Sequence, residues 1–236
     1  MATTKKTAAT PDPEEQPTPM VRINKIQVER IRIPIVGTAP LISHRFDEKA
    51  RRQMLEKQTA RKSLREVRDP VAEYNASLYR IAKDGATDGP KVAARPPEEG
   101  DLYGFPASAF RKATIGAARF YDKSVTMRGL TQMFMVKGVI TKADPLALVP
   151  LVGTPEMRED TVRLPNGNAE VRFRGMFDEW ETLLEIEYVA SSIDEESLLS
   201  LVDAGGQFVG VGDWRPEKTG QFGTYEIGGV VEKVRK

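Results

Sequence analysis

The stretch from Ala204 to Ile227, AGGQFVGVGDWRPEKTGQFGTYEI, holds six glycines among Phe208, Trp214, Phe222 and Tyr225, with Arg215 and Lys218 between them. Glycine loses more backbone entropy on ordering than any other residue, so this density points to positive φ or to bare backbone against which something packs. Aromatics and cations among the glycines supply stacking surface and charge, which suits single-stranded nucleic acid. A glycine-rich hairpin whose aromatics fill a core fits the same residue types, and composition alone leaves both readings open.

Working outward from this loop, Ser192 with Glu195 three residues on is a capping box. It opens a helix expected from Ile193 to Ala204 and stopped by Gly205. Phe208 to Val211 and Gly223 to Val231 read as closing strands on either side of the loop. Before the helix, Leu184, Ile186 and Tyr188 alternate with Glu185 and Glu187 in a strand over Thr182 to Ala190. Further back, VRLPNGNAEVRF carries a hairpin signal, two extended arms around Asn166-Gly167, and places Arg163, Arg172 and Arg174 on those arms. MFMVKGVI and PLALVPLV, separated by KADP, are strand-like runs.

At the other end of the chain, VRINKIQVERIRIPI (Val21 to Ile35) alternates apolar and polar residues. It reads as a strand with one face buried, closed by Pro34. GTAPLISHRF follows as a loop. From Glu48 to Val67 no Gly or Pro interrupts a strongly basic helical pattern that includes Arg51 and Arg52, with Arg45 just before it. These cations suit phosphate neutralisation with counterion release, and equally the solvated face of a surface helix. A helical pattern over Ala72 to Ala82 precedes a polar Gly/Pro stretch to Gly100, an insertion or loop.

In LYGFPASAFRKATIGAARFY (Leu102 to Tyr121), Ser108 is placed to cap a helix whose Phe110, Ala113, Ala117 and Phe120 form one apolar stripe. Arg111 and Lys112 fall in its first turn. The helix dipole favours anions there, so cations at that place point to a bound phosphate, and an amphipathic packing helix is the plainer reading.

The order of elements is strand, insertion, helix, strands, hairpin, strand, helix, glycine loop, strand. Without insertions this approaches β-α-β-β-α-β, an α+β ferredoxin-like or RRM-like plan with two helices on one face of a sheet. The other face of such a sheet is a common platform for RNA. The first 20 residues are Thr, Ala, Pro and charge, expected to form a disordered tail. Residues 21–236 are expected to form one domain with an insertion at 45–100.

The N-terminal strand, GFPASAFRKATIGAARF and GQFVGVGDWRPEKTGQFGTYEI together resemble the RAMP superfamily, in particular backbone subunits of CRISPR effector complexes. Pro106, Ser108, Phe110 and Arg111 match that family's IPGSSLRGALR-type helix. Gly210, Gly212, Arg215, Gly220 and Gly223 match its G-rich loop. Pro216, Glu217 and Lys112 depart from it. The resemblance implies a non-catalytic subunit that assembles head-to-tail along a single strand of RNA or DNA. It also implies strand contacts at Arg111, Lys112, Gly210 and Gly212, with Arg215 nearby. The residues themselves add Arg45, Arg51, Arg52 and Lys218. The tail and the cysteine-free chain also suit a bacteriophage protein that uses this fold for single-strand binding or annealing.

Composition bounds the rest. Net charge is +1, from 35 Lys+Arg against 34 Asp+Glu, so any attraction to polyanions is local. There is no cysteine and only one histidine, and no His/Cys cluster, so neither a metal nor another cofactor is expected. No secretory or membrane-spanning stretch is visible, which fits a cytoplasmic protein of a prokaryote or a phage-infected host. No NTPase phosphate loop is present. His44 is the candidate general base of a second hypothesis, metal-independent RNA cleavage. A third is a viral structural or assembly protein whose glycine loop makes protein contacts.

Overall fold

A computed structural model of the chain describes residues 25–45, 68–81, 101–140, 146–163, 167 and 169–234. The expected tail, the basic helix with Arg51 and Arg52, and most of the stretch before Asp101 lie outside these residues.

Ile31, Ile33 and Ile35 are at most 1% exposed and alternate with Arg30, Arg32 and Pro34, and this period of two makes Val28–Gly37 the strand β1. The strand runs through Pro34 instead of ending there. The Pro34 carbonyl accepts from the Gly228 amide (3.0 Å), so this residue's hydrogen-bonding edge faces away from the partner strand and the missing N–H costs that ladder nothing. That partner is β9 (Glu181–Val189), antiparallel, with Ile31 opposite Ile186.

The segment expected as a loop after β1 contains a further strand, β2 (Leu41–Ser43). It pairs with β8 (Ala169–Phe177), which pairs along its whole length with β7 (Pro155–Arg163). These three strands form a small sheet whose long ribbon is the hairpin read from Asn166-Gly167, with Gly167 at φ +85°. A short helix, α1 (Pro70–Ala76), fastens this sheet. The Ser77 carbonyl beyond it accepts from Ser43 Oγ (2.8 Å) and the Arg45 amide (2.9 Å), and Ser77 Oγ accepts from the Gly175 amide (2.7 Å).

The main sheet adds β3 (Arg80–Ile81), β4 (Leu102–Pro106), β5 (Phe134–Val136), β6 (Leu148–Val152), β10 (Tyr225–Ile227) and β11 (Glu232–Lys233). Its order is β10-β1-β9-β6-β4-β3, with β5 also on β9 and β11 also on β1. The two chief helices are α2 (Ala107–Gly116) and α4 (Glu195–Phe208). With α2 before β5 and β6, and α4 between β9 and β10, the chain has the β-α-β-β-α-β order of a ferredoxin-like core. Its first strand lies between the last and the third, antiparallel to both. The fold is α+β, as the sequence indicates.

Phe110 of α2, fully buried, centres the core beneath the helices, with ring centroids 6.1 Å from Phe105, 5.7 Å from Tyr225 and 6.4 Å from Trp180. Ser108 is not the cap of α2. Pro106 occupies that position without a side-chain bond, and the exposed Ser108 lies within the first turn. MFMVKGVI (133–140) is strand only over Phe134–Val136, and its Met133 ends a helix, α3 (Met127–Met133), whose Thr126 cap accepts from the Gly129 amide (3.1 Å).

The helix before the glycine loop starts at Asp194, whose carboxylate accepts from the Ser197 amide (2.8 Å), and it runs through Gly205 and Gly206 to Phe208. Sequence reading stops it too early because those glycines serve packing. A Cβ on Gly205 would lie 2.7 Å from the Ala113 carbonyl oxygen, and one on Gly206 would lie 2.2 Å from that of Tyr225. Close approach of α4 to α2 and β10 needs bare backbone there. No strand forms over Phe208 to Val211, since Phe208 is still helical.

Candidate nucleic-acid interface

Leaving α4, the chain buries Val209 and Val211 while Gly210 (φ +70°) and Gly212 (φ +78°) turn it back on itself. Gly212 lies against β2, where a Cβ would meet the Ile42 carbonyl at 2.6 Å. Backbone bonds stitch the loop to that strand and to itself. The Asp213 amide donates to Ile42 (3.1 Å), Gly223 to Pro40 (2.8 Å), Val211 to Gly223 (2.8 Å) and Phe222 to Trp214 (3.0 Å). Between Trp214 and Phe222 a 3-10 turn, Pro216–Lys218, folds the tip. The glycine density is therefore accounted for by the loop crossing itself and seating on β2.

Side chains complete the seat. Asp213 Oδ2 accepts from Arg174 Nη1 (2.5 Å) and from His44 Nδ1 (2.9 Å). Arg174, its side chain only 3% exposed, also donates to Asp160 Oδ2 (2.9 Å), whose Oδ1 accepts from Arg158 Nε (2.9 Å). The Arg158 guanidinium in turn lies 4.8 Å from the Phe222 ring centre. Burial pushes the Asp213 carboxyl up, but the His44 hydrogen bond and the Arg174 charge outweigh it and hold the group below the usual carboxylate range.

Trp214 sits in the middle of this fastened loop at φ +57° and is 48% exposed. A bulky side chain in the left-handed region costs about 1–3 kcal/mol and persists only where surroundings over-determine it. Here they do: a Cβ on Gly220 would lie 1.6 Å from the Trp214 carbonyl oxygen, so the two backbones are in close contact. Core packing, one reading of this tryptophan, belongs instead to Trp180, 2% exposed, whose indole donates to the Ala39 carbonyl (2.9 Å).

The cations singled out in the sequence divide by what holds them. Arg111 lies in the second turn of α2 and donates through Nε to the Phe134 carbonyl (3.2 Å) and through Nη2 to that of Thr131, satisfying backbone at the end of α3. Arg215 donates to the Gly212 carbonyl (3.0 Å) and twice to Glu217 Oε2 (2.7 and 3.1 Å), which pins the loop and keeps the Glu217 carboxyl low. Lys112 and Lys218 are exposed. Arg45, half-buried, follows His44 at the loop's seat. Gly210, Gly212, Arg215 and Lys218 thus share one loop, with Arg45 at its base. Arg111 and Lys112 stand near the start of α2, apart from it.

The sheet face away from the helices does not offer the stacking platform that the RRM-like plan implies. Arg30 bonds Glu187 and Glu185 (3.1 Å to the latter), Arg32 bonds Glu185 (3.2 Å) and Lys137 bonds Glu187 (2.6 Å). Three cations share two carboxylates there, and the rings of these strands, Tyr103, Phe105, Phe134, Tyr188 and Tyr225, are buried in the core. Sequence reasoning missed the Asp213–Arg174–Asp160 chain and the exposure of Phe120, while Phe208 is among the aromatics it offers for stacking. The former joins residues remote in sequence, and Phe120 falls on the apolar stripe of its helix.

Among the described residues no group of His, Asp or Glu side chains could hold a metal ion, and no helix is long and apolar enough to cross a membrane. No protein-family model and no curated protein matches the chain. Among solved structures it is similar to Cmr6 from Pyrococcus furiosus, with 10% identity, a TM-score of 0.37, and coverage of 86% of this chain and all of that one. A likeness that distant carries no residue roles.

Proposed function

We propose that the protein binds single-stranded nucleic acid without chemically altering it, presenting Trp214 to a base from a rigid loop and cations to the phosphates beside it. One observation carries this reading. A tryptophan is held in a strained conformation, half in solvent, on a loop whose backbone is hydrogen-bonded to itself and to Pro40 and Ile42. Strain kept at an exposed aromatic is unexplained by stability and explained by stacking. Lys218 and Arg45 flank the loop as phosphate contacts, with Lys112 further along α2. Arg215 positions the loop, and Arg111 serves the fold. Arg51 and Arg52, outside the described residues, join the phosphate contacts on their charge alone. Head-to-tail assembly of copies along the strand, implied by the RAMP-like motifs, belongs to the same reading.

The test uses the protein's own fluorescence. Trp180 is buried, so quenching on addition of a single-stranded oligonucleotide reports Trp214. Saturable quenching supports the reading, and none at any concentration up to the micromolar range contradicts it.

A second reading rests on the His44–Asp213 contact at 2.9 Å. A carboxylate on Nδ1 fixes the tautomer and leaves Nε2 as a base, the arrangement that metal-independent RNA cleavage needs. On this reading His44→Ala abolishes RNA cleavage in EDTA while binding persists.

A further inference from the structure

We propose that Phe120 and Phe208 form a second base-stacking platform, which continues the path of the strand beyond the glycine loop; this rests on the single-strand reading above. The two rings come from different elements, the 3-10 turn that follows α2 (Ala117–Phe120) and the last residue of α4. Their centroids are 5.3 Å apart, tilted by 59°, and the residues are 51% and 56% exposed.

Phe120 belongs by sequence to the buried stripe of Phe110, Ala113 and Ala117. The α-helix ends at Gly116, and Phe120 closes the 3-10 turn that follows with its ring half in solvent, whereas Phe110, Ala113 and Ala117 are buried. Two phenylalanines in mutual contact, each more than half exposed, leave apolar area in water with no gain to the core. A nucleobase covering their faces removes that cost.

Charge around the pair identifies the occupant. Arg119, its side chain 49% exposed, adjoins Phe120 in sequence and lies 3.9 Å from Glu217, which Arg215 holds from its other side at 2.7 Å. The Glu217 amide donates to the carbonyl of Val209, the residue after Phe208, so the loop tip and the ring pair are joined directly (3.2 Å). Arg119, Arg215 and Lys218 line this junction against Glu217 and, one turn back on α4, Asp203, which Gln207 holds at 3.0 Å. Cations outnumber carboxylates, and rings between cations match the alternation of bases and phosphates along a strand.

The test compares an oligothymidylate with its abasic counterpart, the same sugar-phosphate chain without bases, on the full-length protein and on a Phe120→Leu/Phe208→Leu variant. Leucine keeps the surface apolar, and an unchanged thermal midpoint confirms that the fold is intact. The expected result is that wild type prefers the base-bearing strand and that the variant's preference falls about five-fold or more, with its salt dependence unchanged. An undiminished preference in the variant overturns the platform and leaves the loop reading standing. The same holds if the variant changes only the oligomeric state of nucleic-acid-free protein, which makes the pair a contact between copies. Binding of neither strand by wild type overturns both.

Discussion

Asp213 and Arg174 are 39 residues apart in the chain and meet at 2.5 Å, one from the glycine-rich loop and the other from the ribbon strand β8. The guanidinium is almost completely buried and spans two carboxylates, Asp213 and Asp160, so the loop docks on the small sheet by charge as well as by backbone bonds. Asp213→Asn leaves that buried cation half-partnered and is expected to destabilise the protein by about 1–3 kcal/mol. Denaturant unfolding at neutral pH measures it, and a change within a few tenths of a kcal/mol shows that the contact does not hold the loop.

The same carboxyl sets a pH dependence. Its pKa is lower in the folded protein than in the unfolded chain, because His44 and Arg174 outweigh the effect of burial. A depressed carboxylate contributes stability that is fully present above its unfolded value and is lost as pH falls through the folded one. Stability is therefore expected to drop on acidification below the ordinary carboxylate range. Asp213→Asn should flatten that part of the profile, and an unaltered profile contradicts the assignment.

Gly206→Ala is expected to destabilise although it lies inside a helix, where alanine is the better residue by about 1 kcal/mol. The added Cβ would sit 2.2 Å from the Tyr225 carbonyl oxygen, which is strand backbone that cannot yield cheaply. A net loss of about 1–3 kcal/mol by chemical denaturation is the expected outcome, and a gain in stability contradicts the packing account.

Arg111 and Lys218 should separate fold from binding. Arg111→Ala removes two hydrogen bonds to carbonyls and is expected to cost about 1–2 kcal/mol of stability without altering the salt dependence of strand binding. Lys218→Ala should leave unfolding unchanged and lower the slope of log affinity against log salt by about 1. The reverse pattern makes Arg111 the phosphate contact.

Local patterns carried most of the fold. The alternation of Leu184, Ile186 and Tyr188, the hairpin ribbon on either side of Gly167 and the stripe of Phe110, Ala113 and Ala117 each read correctly because their partners are set by period or by turn chemistry. Reading failed where tertiary contact overrode local signal. Gly205 and Gly206 look like a helix stop, yet they continue the helix because neighbouring backbone presses on them. Leu41 to Ser43 is too short to show a strand period, and Pro34 passes through a strand because its missing N–H lies on the edge away from β9, where only its carbonyl is used, by Gly228. At the site, the aromatic-basic character of the loop was legible, but Trp214's exposure was not, since nothing in one sequence tells which of two tryptophans the core takes. The His44–Asp213 contact spans 169 residues and left no local trace.

The most direct test of single-strand binding is the affinity for a labelled single-stranded oligonucleotide, measured from about 50 to about 200 mM salt, for wild type and Trp214→Leu. The predicted result is tight binding that weakens steeply as salt rises, with Trp214→Leu weaker by about five-fold or more at every salt concentration. Absent or salt-independent binding, or a Trp214→Leu variant that binds as wild type does, would contradict it.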